Sequence, residues 1–282
     1  MAHLLGGKTL AAAVRGKVKE RVAALPRVPG LAVLLVGDDP ASHLYVALKE
    51  KACEEAGIRF ERHAYPADAD EAALVAKIEE LNARADVDGI LVQLPLPSQD
   101  ADRVAGAIAP AKDVDGFHPE NVRACAEGRP CLAPPVHLGV MKLLDATGVN
   151  VRGMRAEFVG SALFAAPLVA LLRERGVETT VVPPDRFACA AARVLAADIV
   201  IAAAGAPGII TGDCLKPGAI VIDVGTTKVN GKLLGDADRA SVDPVAGWIS
   251  PVPGGVGPLT VAYLLLNVLK AHTQTRMQKT AP

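Results

Sequence analysis

Gly30-Leu-Ala-Val-Leu-Leu-Val-Gly37 sets six consecutive apolar residues between two glycines. A strand without a polar face is buried on both sides, the pattern of parallel sheets covered by helices on each face. The flanking sequence agrees. Lys8 to Leu25 carries apolar residues at helical spacing and stops at Pro26, Ser42 to Ala56 is helical and closes at Gly57, and Ile58 to Tyr65 is extended. Glu71 to Ala83 is helical, and Val87-Asp-Gly-Ile-Leu-Val-Gln-Leu94 is a further buried strand. Alternation of this kind predicts an α/β fold, with parallel strands joined by right-handed helical crossovers and functional side chains at the carboxyl ends of the strands.

A second unit follows the turn Ala133-Pro-Pro-Val136. It is predicted to contain a helix from His137 to Thr147 and strands at Ala156–Val159, Thr179–Val182, Ile199–Ala202 and Ala219–Val224. The helix between the first two strands is expected from Pro167 to Arg175, with Gly176 as its stop and Gly160 at the first turn, which resembles a dinucleotide-binding half. Asn230-Gly231 reads as a hairpin turn. Between Pro251 and Pro258 stand three prolines and three glycines, with a helix expected from Thr260. Such a loop is a shaped backbone facing a helix N-terminus; a tight linker is the simpler account.

With 282 residues, two domains are expected. A net charge of −1, with 51% hydrophobic residues, is the profile of a globular enzyme and implies neither a nucleic-acid partner nor disorder. No leader-like N-terminus and no run of ~18 apolar residues is present, so a cytoplasmic location without membrane contact is the expectation. Five cysteines without CxxC spacing favour neither a disulfide framework nor zinc.

Tyr45 and Lys49 are four apart on one helix, so phenol and ammonium share a face. A desolvated lysine there would have a lowered pKa and could move protons; a surface lysine laying its stem on a tyrosine is the competing account. Gln93 ends a buried strand just before Pro95-Leu-Pro97, so its amide is expected at the carboxyl edge, unless it serves only nearby backbone. In Asp113-Val-Asp-Gly-Phe-His-Pro119 two carboxylates alternate, which allows a thin metal site with His118, a plain Asp-Gly turn, or a carboxylate accepting paired N–H groups of a heterocycle.

Taken in order, Tyr45-Val-Ala-Leu-Lys49, Asp88-Gly-Ile-Leu-Val-Gln-Leu-Pro-Leu-Pro97, Lys112-Asp-Val-Asp-Gly-Phe-His-Pro119, Gly218–Gly225 and Pro251–Pro258 make the chain resemble the bifunctional methylenetetrahydrofolate dehydrogenase/methenyltetrahydrofolate cyclohydrolase (FolD-type) family, from about Leu5 to about Lys270. The resemblance implies a three-layer α/β catalytic domain over 1–137, completed by a C-terminal helix over 258–282, and a doubly wound Rossmann-like domain over 138–257, with a folate cleft between them. It implies catalytic roles for Lys49, Gln93, Asp115 and Tyr45: Lys49 in proton transfer, Gln93 in setting its protonation, Tyr45 packing on the folate, and Asp115 anchoring the pterin edge. Val92, Leu94, Pro253, Gly254, Gly255 and Pro258 would join Tyr45 and Asp115 in binding methylene- or methenyltetrahydrofolate. Gly160, Ser161, Ala162, Asp185, Gly205 and Thr260 would occupy the cofactor-facing positions. No metal is implied, and a homodimer is.

The chain departs from the family pattern at several places. The first Rossmann turn, Gly160-Ser-Ala-Leu-Phe-Ala-Ala-Pro167, is one residue shorter and lacks the family's Arg and second glycine. Pro134-Pro-Val-His137 replaces Pro-Cys-Thr-Pro, Thr226-Thr227 replaces Ile-Asn, and Asp185 would repel a 2′-phosphate, leaving NAD as an escape route. The expectation from these departures is an enzyme acting on the one-carbon bridge by hydrolysis, or by transfer to a second small-molecule acceptor, with NADP-dependent dehydrogenase activity lost or weak. The alternatives are the ordinary bifunctional NADP-dependent enzyme and, more remotely, a non-catalytic folate-binding homologue.

Overall fold

The structure, a computed structural model, describes residues 1–187 and 195–280. The chain forms two compact units. One comprises Ala12–Ala124, Pro130–Pro135 and Val261–Pro282; the other comprises Met1–Ala11, Cys125–Arg129 and Val136–Thr260.

The first of these units carries a three-stranded parallel sheet. Its strands are β2 (Gly30–Val36), β3 (Arg59–Tyr65) and β4 (Gly89–Val92), in the order β3-β2-β4. All seven residues of β2 are buried, as its unbroken apolar run requires. Alternate residues serve two cores. Leu31, Val33 and Leu35 pack with Val46, Ala52 and Cys53 of α2 (Pro40–Ala56) and with Leu264, Leu265 and Val268 of the terminal helix. Ala32, Leu34 and Val36 pack with Leu74, Ile78 and Leu81 of α3 (Glu71–Ala83). Helix, sheet and helix therefore make the expected three layers.

The other unit holds a six-stranded, wholly parallel sheet. In chain order its strands are β1 (His3–Leu4), β5 (Arg155–Gly160), β6 (Glu178–Val182), β7 (Ile199–Ala203), β8 (Ile220–Asp223) and β11 (Trp248–Ile249). Their spatial order is β1-β11-β8-β7-β5-β6. The chain runs from β5 out to β6 and then returns to the other side of β5 for β7, so the strand order reverses between β5 and β7. Ligands of open α/β sheets bind at such a point. The strands β9 (Thr227–Val229) and β10 (Lys232–Leu234) pair antiparallel about Asn230 (φ 49°) and Gly231 (φ 78°), the left-handed pair that an Asn-Gly hairpin turn requires.

Three sequence expectations need correction. The helix after β5, α7 (Ala162–Glu174), begins five residues before Pro167, because Ser161 caps it by accepting from Phe164 N at 3.2 Å. The last helix starts at Val256, ahead of Thr260. The N-terminal residues, expected in the catalytic domain, belong with the six-stranded sheet, where Leu4 pairs with Ile249. The cysteines also divide differently. Cys53 and Cys214 are free, Cys125 and Cys131 are disulfide-bonded despite the absence of a recognisable spacing, and Cys189 lies outside the described residues. No described helix is long and apolar enough to cross a membrane.

Candidate functional site

In the three-stranded unit, α2 rises from the carboxyl edge of β2. Asp39 caps it by accepting from Ser42 N at 2.8 Å, and Gly57 (φ 76°) ends it. Val46 is fully buried in the core, while Tyr45, beside it on the helix, is 37% exposed. Gln93 lies one residue past β4 and extends its pairing, its N–H donating to Leu34 O at 2.9 Å. The Gln93 side chain donates from Nε2 to Leu94 O at 2.7 Å, which aims Oε1 at Lys49, and Lys49 Nζ donates to Oε1 at 2.8 Å. Burial pushes the Lys49 pKa down, against the opposing pull of the Asp115 carboxylate. Burial likewise pushes Asp115 up, while Lys49 pulls it down.

Asp115 owes its position to its neighbours. Lys112 Nζ donates to Leu81 O, Asn82 O and Arg84 O at 3.0, 2.8 and 2.7 Å, closing the carbonyl end of α3. Asp113, buried, accepts from Gly116 N, His118 N and Asn121 Nδ2 at 3.0, 2.8 and 3.0 Å. The Val114 carbonyl accepts from Asn267 Nδ2 at 2.9 Å. Gly116 (φ 75°) presses so close to Leu132, Ala133 and Pro134 that a side chain there would overlap their backbone. In Lys112-Asp-Val-Asp-Gly116, therefore, four residues build the loop and Asp115 interacts with Lys49. Asp113 and His118 are both committed to backbone, His118 Nδ1 accepting from Glu120 N at 3.1 Å, so the metal reading of this stretch gains nothing.

The structure brings Lys49, Gln93 and Asp115 together, with Tyr45 one turn before Lys49 on α2 and Leu94, 46% exposed, next to Gln93 in sequence. Val92 does not join them. At 5% exposure it packs into the α3 core, because strand alternation turns it away. Asp88 of the same motif is structural: it accepts from Arg27 through both oxygens and from Gly30 N at 2.9 Å, with His272 at 3.2 Å.

In the six-stranded unit, Gly160 ends β5 opposite Ala203 of β7, and a Cβ there would come within 2.6 Å of Phe158 and 2.8 Å of Ala203 O. Close backbone approach demands glycine at this position. Ser161 and then α7 follow at once, so the first-turn N–H groups of a 13-residue helix open at the point of strand reversal. Ala162 and Leu163 are exposed, whereas Ala165 is 0% exposed. Ala165, one of the two residues that stand where the second glycine is missing, turns inward and packs.

Two departures from the family pattern also meet each other. His137 stacks edge-on against Phe164 with ring centroids 4.8 Å apart, and Phe164 lies 6.2 Å from Phe158, beneath the shortened turn. Burial drives the His137 pKa down to about 3, so the ring is neutral and acts as packing.

Gly205 (φ 65°) follows β7 with open space where a side chain would be, and Asp185 sits exposed after β6 beside exposed Arg186. In the Pro-rich loop, Pro253 is exposed, but Gly255 is buried and donates to Pro251 O at 2.7 Å, while Gly254 O accepts from Gly7 N at 2.8 Å. Glycine at 255 is demanded by close approach to Pro251 and Ser250, glycine at 254 by its φ of 112°, and glycine at 7 by the backbone of Gly254 and Gly255. Pro258 is half-buried in the last helix, and Thr260 Oγ1 bonds back to Val256 O at 3.2 Å within it.

Sequence reasoning gave no role to Asp236. Buried, it accepts from Ala204 N at 2.6 Å and Gly205 N at 3.2 Å through Oδ2, and from Ala206 N at 2.8 Å through Oδ1. Two glycines fit against this arrangement: a Cβ at Gly225 would overlap the Asp236 carboxylate, and one at Gly235 would overlap that of Asp223.

Two family models match the chain. The tetrahydrofolate dehydrogenase/cyclohydrolase catalytic domain covers residues 5–115, and the NAD(P)-binding domain of the same family covers residues 134–276. The bifunctional protein FolD of Bordetella avium is 47% identical over 280 residues, covering 97% of this chain and 98% of that protein. Among solved structures, the bifunctional FolD methylenetetrahydrofolate dehydrogenase/cyclohydrolase of Campylobacter jejuni superposes with a TM-score of 0.93 at 38% identity, covering 98% of this chain and 100% of that one. The Trypanosoma brucei methylenetetrahydrofolate dehydrogenase-cyclohydrolase, complexed with NADP cofactor and inhibitor, superposes with a TM-score of 0.92 at 36% identity, covering 98% of each chain.

Proposed function

Because the chain belongs to the tetrahydrofolate dehydrogenase/cyclohydrolase family, we propose that it is a bifunctional enzyme that oxidises methylenetetrahydrofolate with NADP and hydrolyses the methenyl product. This reading replaces the expectation that hydride chemistry has been lost. The observation that carries it is the Gly160–Ser161–α7 junction, which keeps a capped helix N-terminus at the strand-reversal point despite the shortened loop. The missing Arg removes one phosphate contact, while the backbone donors of the first turn remain. The contact between His137 and Phe164 accounts for two of the departures as packing. Transfer of the bridge carbon to a second acceptor has no support in the similarities.

Ser161, Ala162 and the first turn of α7 would hold the dinucleotide's pyrophosphate, and Gly205 would lie nearer its nicotinamide end. The nicotinamide, when bound, accepts a hydride from the methylene bridge. Hydrolysis of the resulting amidinium falls to Lys49. As a neutral amine it takes a proton from the water that adds to the bridge carbon, and it returns a proton to the ring nitrogen as the C–N bond breaks. Burial supplies the neutral amine, and Gln93 Oε1 holds Nζ in place without adding a charge. The half-buried Asp115 would take the pterin edge, and Tyr45 and Leu94 would offer it apolar surface.

The deciding experiment follows both reactions on one preparation, with NADP and with NAD. Oxidation at ordinary rates with NADP, together with hydrolysis that Lys49→Ala abolishes, is the expected result. Hydrolysis without oxidation by either nucleotide would reinstate a cyclohydrolase that has abandoned redox chemistry.

A further inference from the structure

We propose that Asp236 is a positioning residue of the dinucleotide site, holding the backbone of Ala204–Ala206 in the form that lines the point where the strand order reverses. The inference rests on the NADP-dependent reading above and adds a determinant to it.

Three consecutive N–H groups, of Ala204, Gly205 and Ala206, converge on one carboxylate that is itself 0% exposed. They follow β7 directly, and Ala203 pairs with Gly160, the residue that leads into α7. The loop on the β7 side of the reversal therefore has its N–H groups turned inward onto Asp236. Its carbonyls and the open face of Gly205 are what remain for a ligand. A ligand on this side meets backbone acceptors and bare Cα surface, which suits the amide end of a nicotinamide, while the α7 side offers donors suited to phosphate.

Asp236 is in turn held by Asp223, at the end of the neighbouring strand β8. Asp223 Oδ1 accepts from Asp236 N and Gly225 N, both at 2.9 Å, and Oδ2 accepts from Ala237 N at 2.9 Å. Ile210 N donates to Asp236 O at 3.0 Å and Asp238 N to Ile210 O at 2.8 Å, tying the same segment to the loop beyond β7. Two buried carboxylates thus organise six backbone donors and join the ends of β7 and β8. An amide in place of Asp236 would supply one acceptor oxygen and turn an NH₂ group against at least one N–H, so the loop would have to rearrange.

The test compares Asp236→Asn with wild type in both reactions, with NADP varied. Loss of a charge-assisted contact predicts an NADP KM raised about tenfold or more. The kcat at saturating NADP should fall much less, and hydrolysis, whose Lys49 and Gln93 lie in the other unit, should stay at the wild-type rate. A wild-type NADP KM in this variant would overturn the inference. Should Asp236→Asn not fold, Gly205→Ala reports on the same loop, because the strain at φ 65° acts without crowding any neighbour. It too should raise the NADP KM, and an unchanged value would be equally decisive against the proposal. If wild type shows hydrolysis but no nucleotide-dependent oxidation, the dinucleotide reading itself fails and this inference falls with it, an outcome distinct from an active wild type matched by its variants.

Discussion

At the residue scale, Lys49 is set by burial, by the Gln93 oxygen and by the Asp115 carboxylate. With the neutral amine as the proposed working form, hydrolysis should rise with pH through the lowered lysine pKa and level off above it. Gln93→Glu keeps an oxygen acceptor near Nζ but adds a charge that favours the ammonium. The rising limb of the pH–rate profile should then move up by about one pH unit or more, with the neutral-pH rate falling accordingly. A profile unmoved by this substitution would deny Lys49 its role as the base. His137 gives a stability prediction. Its native pKa of about 3 lies below the ordinary histidine value, so as pH falls the unfolded chain takes a proton that the native chain refuses. Stability from this group is complete above about pH 6.5 and is lost at roughly 1.4 kcal/mol per pH unit below it. Asp223, raised to about 6, works in the opposite sense, since its native form holds a proton that the unfolded chain has released. That contribution is common to wild type and His137→Leu, so the difference between their urea midpoints isolates the histidine. Between pH 7 and 5 the wild type should lose about 2 kcal/mol more than the variant.

At the element scale, the proposed dinucleotide site depends on the start of α7. Ser161→Ala removes the acceptor for Phe164 N and should cost about 1 kcal/mol of stability. It should also raise the NADP KM while leaving hydrolysis alone; urea titration and the two assays check this, and an unchanged KM would mean that the first turn does not meet the nucleotide. The start of this helix was the least legible feature of the sequence. Proline favours the first helical position, so Pro167 reads as a beginning, yet the cap at Ser161 prevails and the proline sits inside the helix. The buried strands were plain because an unbroken apolar run such as that of β2 has few other uses. Spacing alone suggested Tyr45 with Lys49, and the pairing of Lys49 with Gln93 came from the resemblance, since residues 44 positions apart leave no local signal. The supporting roles of Lys112 and Asp236 were invisible for the same reason, since each acts through backbone groups distant in sequence, whereas Asp113 acts on near neighbours and its turn was one of the readings open. The strand His3–Leu4 escaped because two residues carry no periodicity.

At the scale of the whole molecule, the chemistry divides between units that each have their own core. Lys49, Gln93 and Asp115 stand on the three-stranded unit, and the helix terminus and carboxylate-held loop stand on the six-stranded one. A ligand that binds only native protein stabilises it by mass action, and at ~100 times its Kd the gain is about 2.7 kcal/mol. For a chain of this length NADP should then raise Tm by roughly 5 °C or more. If Lys49 takes no part in nucleotide binding, as the proposed function has it, Lys49→Ala should show the same NADP-induced rise as wild type while having lost hydrolysis. If the units melt in separate transitions, the rise should belong to the one containing α7, which can be identified as the transition that Ser161→Ala lowers. A rise abolished by Lys49→Ala would place nucleotide contacts on the three-stranded unit and overturn this division of labour. No rise in either protein would return the six-stranded unit to a purely structural role.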